Sequence, residues 1–221
     1  MVEVLEKIVT LSKVTGGFEC NLENYGTMRD TISNFDYQFK SGTYVLQGEC
    51  ATGGWALSML LAGKDKVQSG HIIMEDKILN IKDLQMRTCY VGEDAGLKKC
   101  CGLLSMSVEE QILYGVKRGL SYDENIERIK NKFELSEQRF NRKMKYMSGE
   151  RWKASLAIGY ALGKEIYCFP WMNSKTIKML ERCLRVCIPS LQLVGAIILI
   201  PTTYAHVLDN IITDYSVVNL Q

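Results

Sequence analysis

The stretch Gly48-Glu49-Cys50-Ala51-Thr52-Gly53-Gly54-Trp55 constrains this chain more than any other. It follows an apolar run, Tyr44-Val45-Leu46, and opens into Ala56-Leu57-Ser58-Met59-Leu60-Leu61-Ala62. Strand-like run, glycine turn and apolar helix, in that order, form the setting of a phosphate loop written G-x-x-x-x-G-K-[ST]. In that loop the Lys reaches the phosphates and the hydroxyl holds Mg²⁺. Gly48 and Gly53 take the two glycine places, but Gly54 and Trp55 stand where the Lys and the hydroxyl belong. The frame is kept and the chemistry is lost.

The 221 residues suffice for one sizeable core and do not call for two independent domains. Hydrophobic content of 47% and charged content of 24% are those of a globular protein. A net charge of +2, with no basic run, argues against a nucleic-acid partner. The eight cysteines include no CxxC, and Cys89 and Cys168 lie inside apolar runs, so free thiols in a reducing compartment are expected. Zinc-ligand spacing is lacking, so no metal site is expected. The longest apolar run, Leu193 to Pro201, is about half of the ~20 residues that cross a bilayer. The charged N-terminus has no signal-peptide core.

Short apolar runs at Tyr44–Leu46, Ile72–Met74, Cys89–Val91, Ile166–Phe169 and Ala196–Ile200 have the continuous character of strands buried on both faces. Helical segments between them favour an α/β fold with a mainly parallel sheet. Phe35 to Phe39 alternates and reads as antiparallel strand material. From about 94 to 161 the pattern is mostly helical. Ser107 and Glu110 form a capping-box candidate, and Ser121 with Glu124 repeats it, ahead of Ile126, Ile129 and Phe133 on one helical face.

Several further segments fall into a family order. The helix after the glycine turn ends in Ala62-Gly63, and Ser69-Gly70-His71-Ile72 enters the next strand. Asn24-Tyr25-Gly26 precedes the loop, Ser107-Val108-Glu109-Glu110-Gln111 follows it, and Tyr146-Met147-Ser148-Gly149-Glu150 leads into Lys153-Ala154-Ser155-Leu156-Ala157. In this order the chain resembles the ATP-binding domain of ABC transporters over nearly its whole length. The resemblance implies an α/β, P-loop NTPase-like (RecA-like) core with a mainly parallel sheet, an antiparallel β edge and a helical subdomain. It also implies one domain over 1–221, its core about 1–93 and 162–221 and its helical insertion about 94–161.

The resemblance assigns site positions residue by residue. The degenerate nucleotide loop is Gly48, Ala51, Thr52, Gly53, Gly54, Trp55 and Ala56, the family's Lys falling on Gly54 and its Ser on Trp55. Tyr25 matches the aromatic that stacks on adenine, or is a structural aromatic. Glu93 takes the Q-loop position, or is a solvated loop acid. The Walker B strand should end in Asp-Glu, but Cys168, Phe169, Pro170 and Trp171 hold no carboxylate. The switch His falls on Thr202, and His206 reads as an ordinary helix or surface histidine. Trp55 and Trp171 read as fillers of vacated space. Ser148, Gly149 and Glu150 match the signature, whose register is Tyr-Met-Ser-Gly-Glu or Met-Ser-Gly-Glu-Arg. There the backbone N–H groups greet a partner's phosphate, or Ser148 is a plain helix N-cap.

By this resemblance the chain carries no catalytic residue and binds no cofactor tightly, ATP and Mg²⁺ being shared at an interface with a partner. The implied partners are a transmembrane transporter subunit and a second, active ATPase subunit in a heterodimer. The transport is of exporter type, and the chain is cytoplasmic, held at the inner face of the cell membrane through the membrane subunit. The docking surface implied runs from about Glu93 to Ser107 and includes Cys100 to Met106. The alternatives are a non-transport scaffold or regulatory module, and a residual ATPase using Glu93 and Asp94.

Overall fold

The structure, a computed structural model, describes residues 6–22, 26–99, 102 and 104–220. Its first half is mostly strand: β1 (Ile8–Leu22), β2 (Gly26–Lys40), β3 (Gly42–Gln47), then α1 (Gly54–Leu61), β4 (Ser69–Met74), β5 (Lys77–Ile78), α2 (Ile81–Arg87) and β6 (Thr88–Tyr90). The middle holds β7 (Lys98–Lys99), β8 (Leu104–Ser105), α3 (Val108–Lys117), α4 (Ile126–Lys132), α5 (Glu137–Phe140) and α6 (Arg151–Ala161). The chain then runs through β9 (Ile166–Cys168), α7 (Ser174–Gln192), β10 (Ile197–Thr202) and β11 (Ser216–Asn219).

The strands sort by burial. β9 and β10 are buried at every position, and they form the middle of a sheet ordered β11-β3-β10-β9-β6 with parallel ladders throughout. Successive side chains of a strand face opposite ways. Ile198, Ile200 and Tyr167 therefore pack with α6 and α7, whereas Ile197, Leu199 and Ile166 pack with α1 and the β1–β2 hairpin. A second sheet, β2-β1-β4-β5, is antiparallel throughout. Helix α1 shares one hydrophobic cluster with strands of both sheets and buries Ala56, Leu57, Ser58, Leu60 and Leu61. A helix apolar on all sides belongs in such a place.

The α/β class and the mainly parallel sheet with an antiparallel partner are those of the sequence reading, and four details differ from it. Ile72–Met74 lies in β4, which pairs antiparallel with β1 and exposes part of one face; three apolar residues are too few to reveal a period of two. β1 and β11 had no strand signal. The run at Cys89 leaves the sheet at Tyr90, before Val91. Ser107 and Glu110 make both bonds of a capping box on α3, but Ser121 does not cap α4. Asn125 does, its side chain accepting from Glu127 N and Arg128 N, closer to the helix than Ser121 stands. Among the described residues no helix is long and apolar enough to cross a membrane.

Candidate functional site

The glycine turn joins β3 to α1 at the end of the parallel sheet. Gly48 N donates to Thr202 O on the neighbouring β10 at 3.0 Å, and Thr52 Oγ1 donates to Glu49 O at 2.8 Å, which tightens the turn. Ala51 and Gly53 take left-handed backbone angles, φ 74° and 98°. Gly53 gains from having no side chain, because a Cβ there would stand 2.9 Å from Thr31 O on β2.

A phosphate loop offers backbone N–H groups at a helix N-terminus, where the helix dipole favours an anion. Here an anion of the chain's own is in place. Asp30 on β2, 1% exposed, accepts from Gly53 N through Oδ1 at 2.5 Å and from Ala56 N through Oδ2 at 2.9 Å. Both oxygens are engaged, one each.

At the places where the resemblance expects Lys and Ser, Gly54 has no side chain and Trp55 adds bulk without charge. Trp55 Nε1 donates to Tyr90 OH at 2.7 Å, and its ring meets Phe18 edge-on at 5.0 Å. Burial pushes the Tyr90 phenol well above its ordinary pKa, and the Trp55 N–H opposes that in part. Beyond β9, Cys168 and Phe169 are buried, and burial drives the Cys168 thiol well up. Pro170 is half-buried. The half-buried Trp171 donates from Nε1 to Gly48 O at 3.2 Å. Met172 forms a parallel bridge with Thr202, which is itself fully buried, its hydroxyl meeting no hydrogen-bond partner among the described residues. The loop, Trp171 and Thr202 are thus brought together.

The other candidate positions lie elsewhere. Glu93 pairs with Lys64 at 2.5 Å, just beyond the C-terminal end of α1, and its carbonyl accepts from Ser155 Oγ at 3.0 Å. His206 is exposed and stacks on Tyr204. Tyr25 lies outside the described residues, as do Cys100, Cys101 and Leu103 of the expected docking stretch. Ser148 and Gly149 are exposed, in a 3₁₀ turn (Ser148–Glu150) that runs straight into α6. Ser148 has φ 48° and is not the N-cap of α6: Glu150 holds that place and makes no side-chain cap bond. The Glu150 carboxylate turns instead to Ser136, accepting from its N at 3.1 Å and its Oγ at 3.0 Å. A continuous turn into the helix leaves no extended residue at 148 of the kind that caps from a serine.

Asp30 is the residue that motif reasoning missed. The signal was present in β2, where Met28, Asp30 and Ile32 share the inward phase while Arg29, Thr31 and Ser33 are exposed. A carboxylate at an inward position needs donors.

A Mg-nucleotide phosphate does not fit residues 48–56 as they stand. The loop amides of Gly53 and Ala56 are bonded to Asp30, no ammonium stands at Gly54, and no carboxylate follows β9. Among the described residues no cluster of His, Cys, Asp and Glu is arranged to hold a metal ion.

The whole fold matches solved ABC ATPases. It superposes on the ATP-binding subunit of an ABC transporter with a TM-score of 0.64 at 15% identity, over 96% of this chain and 88% of that one. CbiO1 from Clostridium perfringens, part of the ABC transporter complex cbiONQ, gives 0.60 at 16% identity, over 96% and 84%. A bacterial Atm1-family ABC exporter with ATP bound gives 0.61 at 14% identity, covering all of this chain and 38% of that longer one. No family model matches the sequence, and no curated protein matches it. The chain has the ABC ATPase fold, with its parallel sheet, antiparallel sheet and helices.

Proposed function

We propose that this chain is a non-hydrolysing ATP-binding-type subunit of an ABC transporter, of exporter type, that pairs with an active ATPase subunit and docks on a transmembrane subunit. The observation that carries the reading is the loop at 48–56, an ABC-fold phosphate loop whose Gly53 and Ala56 amides are held by Asp30 and whose Lys and hydroxyl places are Gly54 and Trp55. This chain then contributes no catalytic residue and holds no nucleotide of its own. Hydrolysis belongs to the partner, whose ATP and Mg²⁺ face Ser148 and Gly149 across the heterodimer. The exposure of both residues, and open space around Gly149, support that role.

A cavity of about 580 Å³ supports docking of a membrane subunit. It opens between the end of α1, β6, the segment 93–97 and α6, with Lys64, Tyr90, Glu93, Leu97, Tyr114 and Lys164 in its wall. In this reading the chain sits on the cytoplasmic face of the membrane through that subunit alone. The residual-ATPase reading loses ground because the Glu93 carboxylate is paired with Lys64 and Asp94 accepts from Gly96 N. In this reading the chain is one domain, its core about 1–93 and 162–221 and its helical insertion about 94–161.

Mild-detergent purification of the tagged chain from its native cells tests the assignment. Recovery with a membrane protein and a second ATPase carrying intact phosphate-loop Lys and Walker B acids is the expected result. Recovery with neither overturns transport and leaves the scaffold reading.

A further inference from the structure

Asp30 lies in a strand that reaches the loop from 23 residues upstream, and nothing in a phosphate-loop pattern calls for a carboxylate there. A carboxylate 1% exposed is costly unless its charge is met. Among the described residues no Lys or Arg forms an ion pair with it; the neighbouring Arg29 pairs with Glu19 instead. Among the described residues its charge is met by backbone, two N–H groups on two separate oxygens at the positive end of α1. The strand and the loop are fitted to this approach. A Cβ on Gly17, opposite Thr31 in the β1–β2 ladder, would come within 2.4 Å of Asp30 O, and one on Gly53 would crowd Thr31 O.

We propose that Asp30 is an internal substitute for a nucleotide phosphate: its carboxylate fills the loop's anion place, keeps residues 48–56 folded without nucleotide, and shuts phosphate out. The proposal rests on reading 48–56 as a phosphate loop that has lost its ligands, and it is independent of the transporter assignment. An incoming phosphate would have to expel a buried carboxylate or share two amides with it, and like charges at that separation repel strongly. With the carboxylate gone, the same N–H groups and helix end become an open anion site.

The test compares the full-length chain with Asp30→Ala and with Asp36→Ala, an exposed carboxylate on the same strand. Thermal unfolding is followed as inorganic phosphate is titrated at constant ionic strength. Asp30→Ala is expected to melt about 5–10 °C lower, from the loss of two charge-assisted hydrogen bonds, and to recover part of that loss with phosphate. The parent chain and Asp36→Ala are expected not to respond to phosphate. An Asp30→Ala chain that melts like the parent, or that gains no more from phosphate than the parent does, overturns the proposal. Should Asp30→Ala not fold, amide hydrogen exchange on the parent chain decides. Gly53 and Ala56 amides that are protected and whose NMR shifts phosphate does not move uphold it; fast exchange, or a phosphate-induced shift, overturns it. Co-purification bears on the transporter reading and not on this outcome, so the two fail separately.

Discussion

At residues 48–56 the amides of Gly53 and Ala56 are bound by Asp30, and Trp55 and Trp171 are each hydrogen-bonded to a neighbour. At residues 147–151 the turn into α6 carries no side-chain cap, Ser148 and Gly149 are exposed, and the nearby acid Glu150 bonds Ser136 instead. Both are turns at the start of a helix, the kind of place where a phosphate is received. One is satisfied from within and the other is left facing outward. The difference fits the proposed subunit, which would have closed its own site while leaving open the face it offers to a neighbour.

The sharpest way to break this comparison is to charge the open turn. Gly149→Asp puts a carboxylate where a Cβ meets no atom within 4 Å, so the chain's own stability should change by no more than about 0.5 kcal/mol. In the assembled complex the partner's ATP turnover should fall by about tenfold or more, because the new charge opposes the transferring phosphoryl group. Unchanged turnover, measured on complex with normal subunit content, would remove the signature face from the account.

Restoring one lost ligand probes the closed turn. Gly54→Lys should give no ATP hydrolysis, since the hydroxyl and both Walker B acids are also lacking. It should cost about 1–3 kcal/mol, because a Cβ at 54 stands 3.2 Å from Pro201 Cβ and 3.3 Å from Leu220 Cδ1. Phosphate release above a buffer blank, or an unfolding midpoint in urea equal to the parent's, would count against the described packing.

The smallest effect concerns how the open turn is held. Glu134 accepts from Lys153 Nζ at 2.9 Å and Arg182 Nε at 3.0 Å, tying α6 to α7. The Lys153 hydrogen bond, aided by the Lys153 and Arg182 charges, holds its carboxyl below the ordinary glutamate range. A carboxylate with a depressed folded pKa stabilises the fold above its unfolded pKa, about 4.3, and loses that contribution as pH falls through the folded value. Glu134→Gln should therefore be less stable than the parent at pH 6, by under about 1 kcal/mol given solvent screening, and the gap should close as pH falls below the unfolded pKa of about 4.3. A gap that widens on acidification would show the sign to be wrong.

What the sequence disclosed depended on how local the signal was. The strand, glycine turn and helix at 44–62 were legible because each residue's role is set by its immediate neighbours. The Ser107–Glu110 capping box was legible for the same reason. The Ser121 box was misread because the real cap, Asn125, lies four residues nearer the helix with two bonds of its own. β1 was invisible because its alternation breaks twice, at register shifts between Leu11 and Val14 and between Val14 and Gly16. Asp30 was missed because it meets the loop only through strand pairing. The absence of the expected Lys, hydroxyl and acids at Gly54, Trp55 and Cys168–Trp171 could be read from the chain; the contact of Asp30 with Gly53 and Ala56 could not, until β2 lay beside α1.

Equilibrium titration of the isolated, full-length chain with Mg-ATP, followed by the fluorescence of its three tryptophans, of which Trp55 and Trp171 lie at the loop, tests the central claim most directly. The closed loop predicts no saturable change over the range in which an active ABC ATPase subunit, run in parallel, saturates. Saturable, tight binding by this chain alone would contradict it.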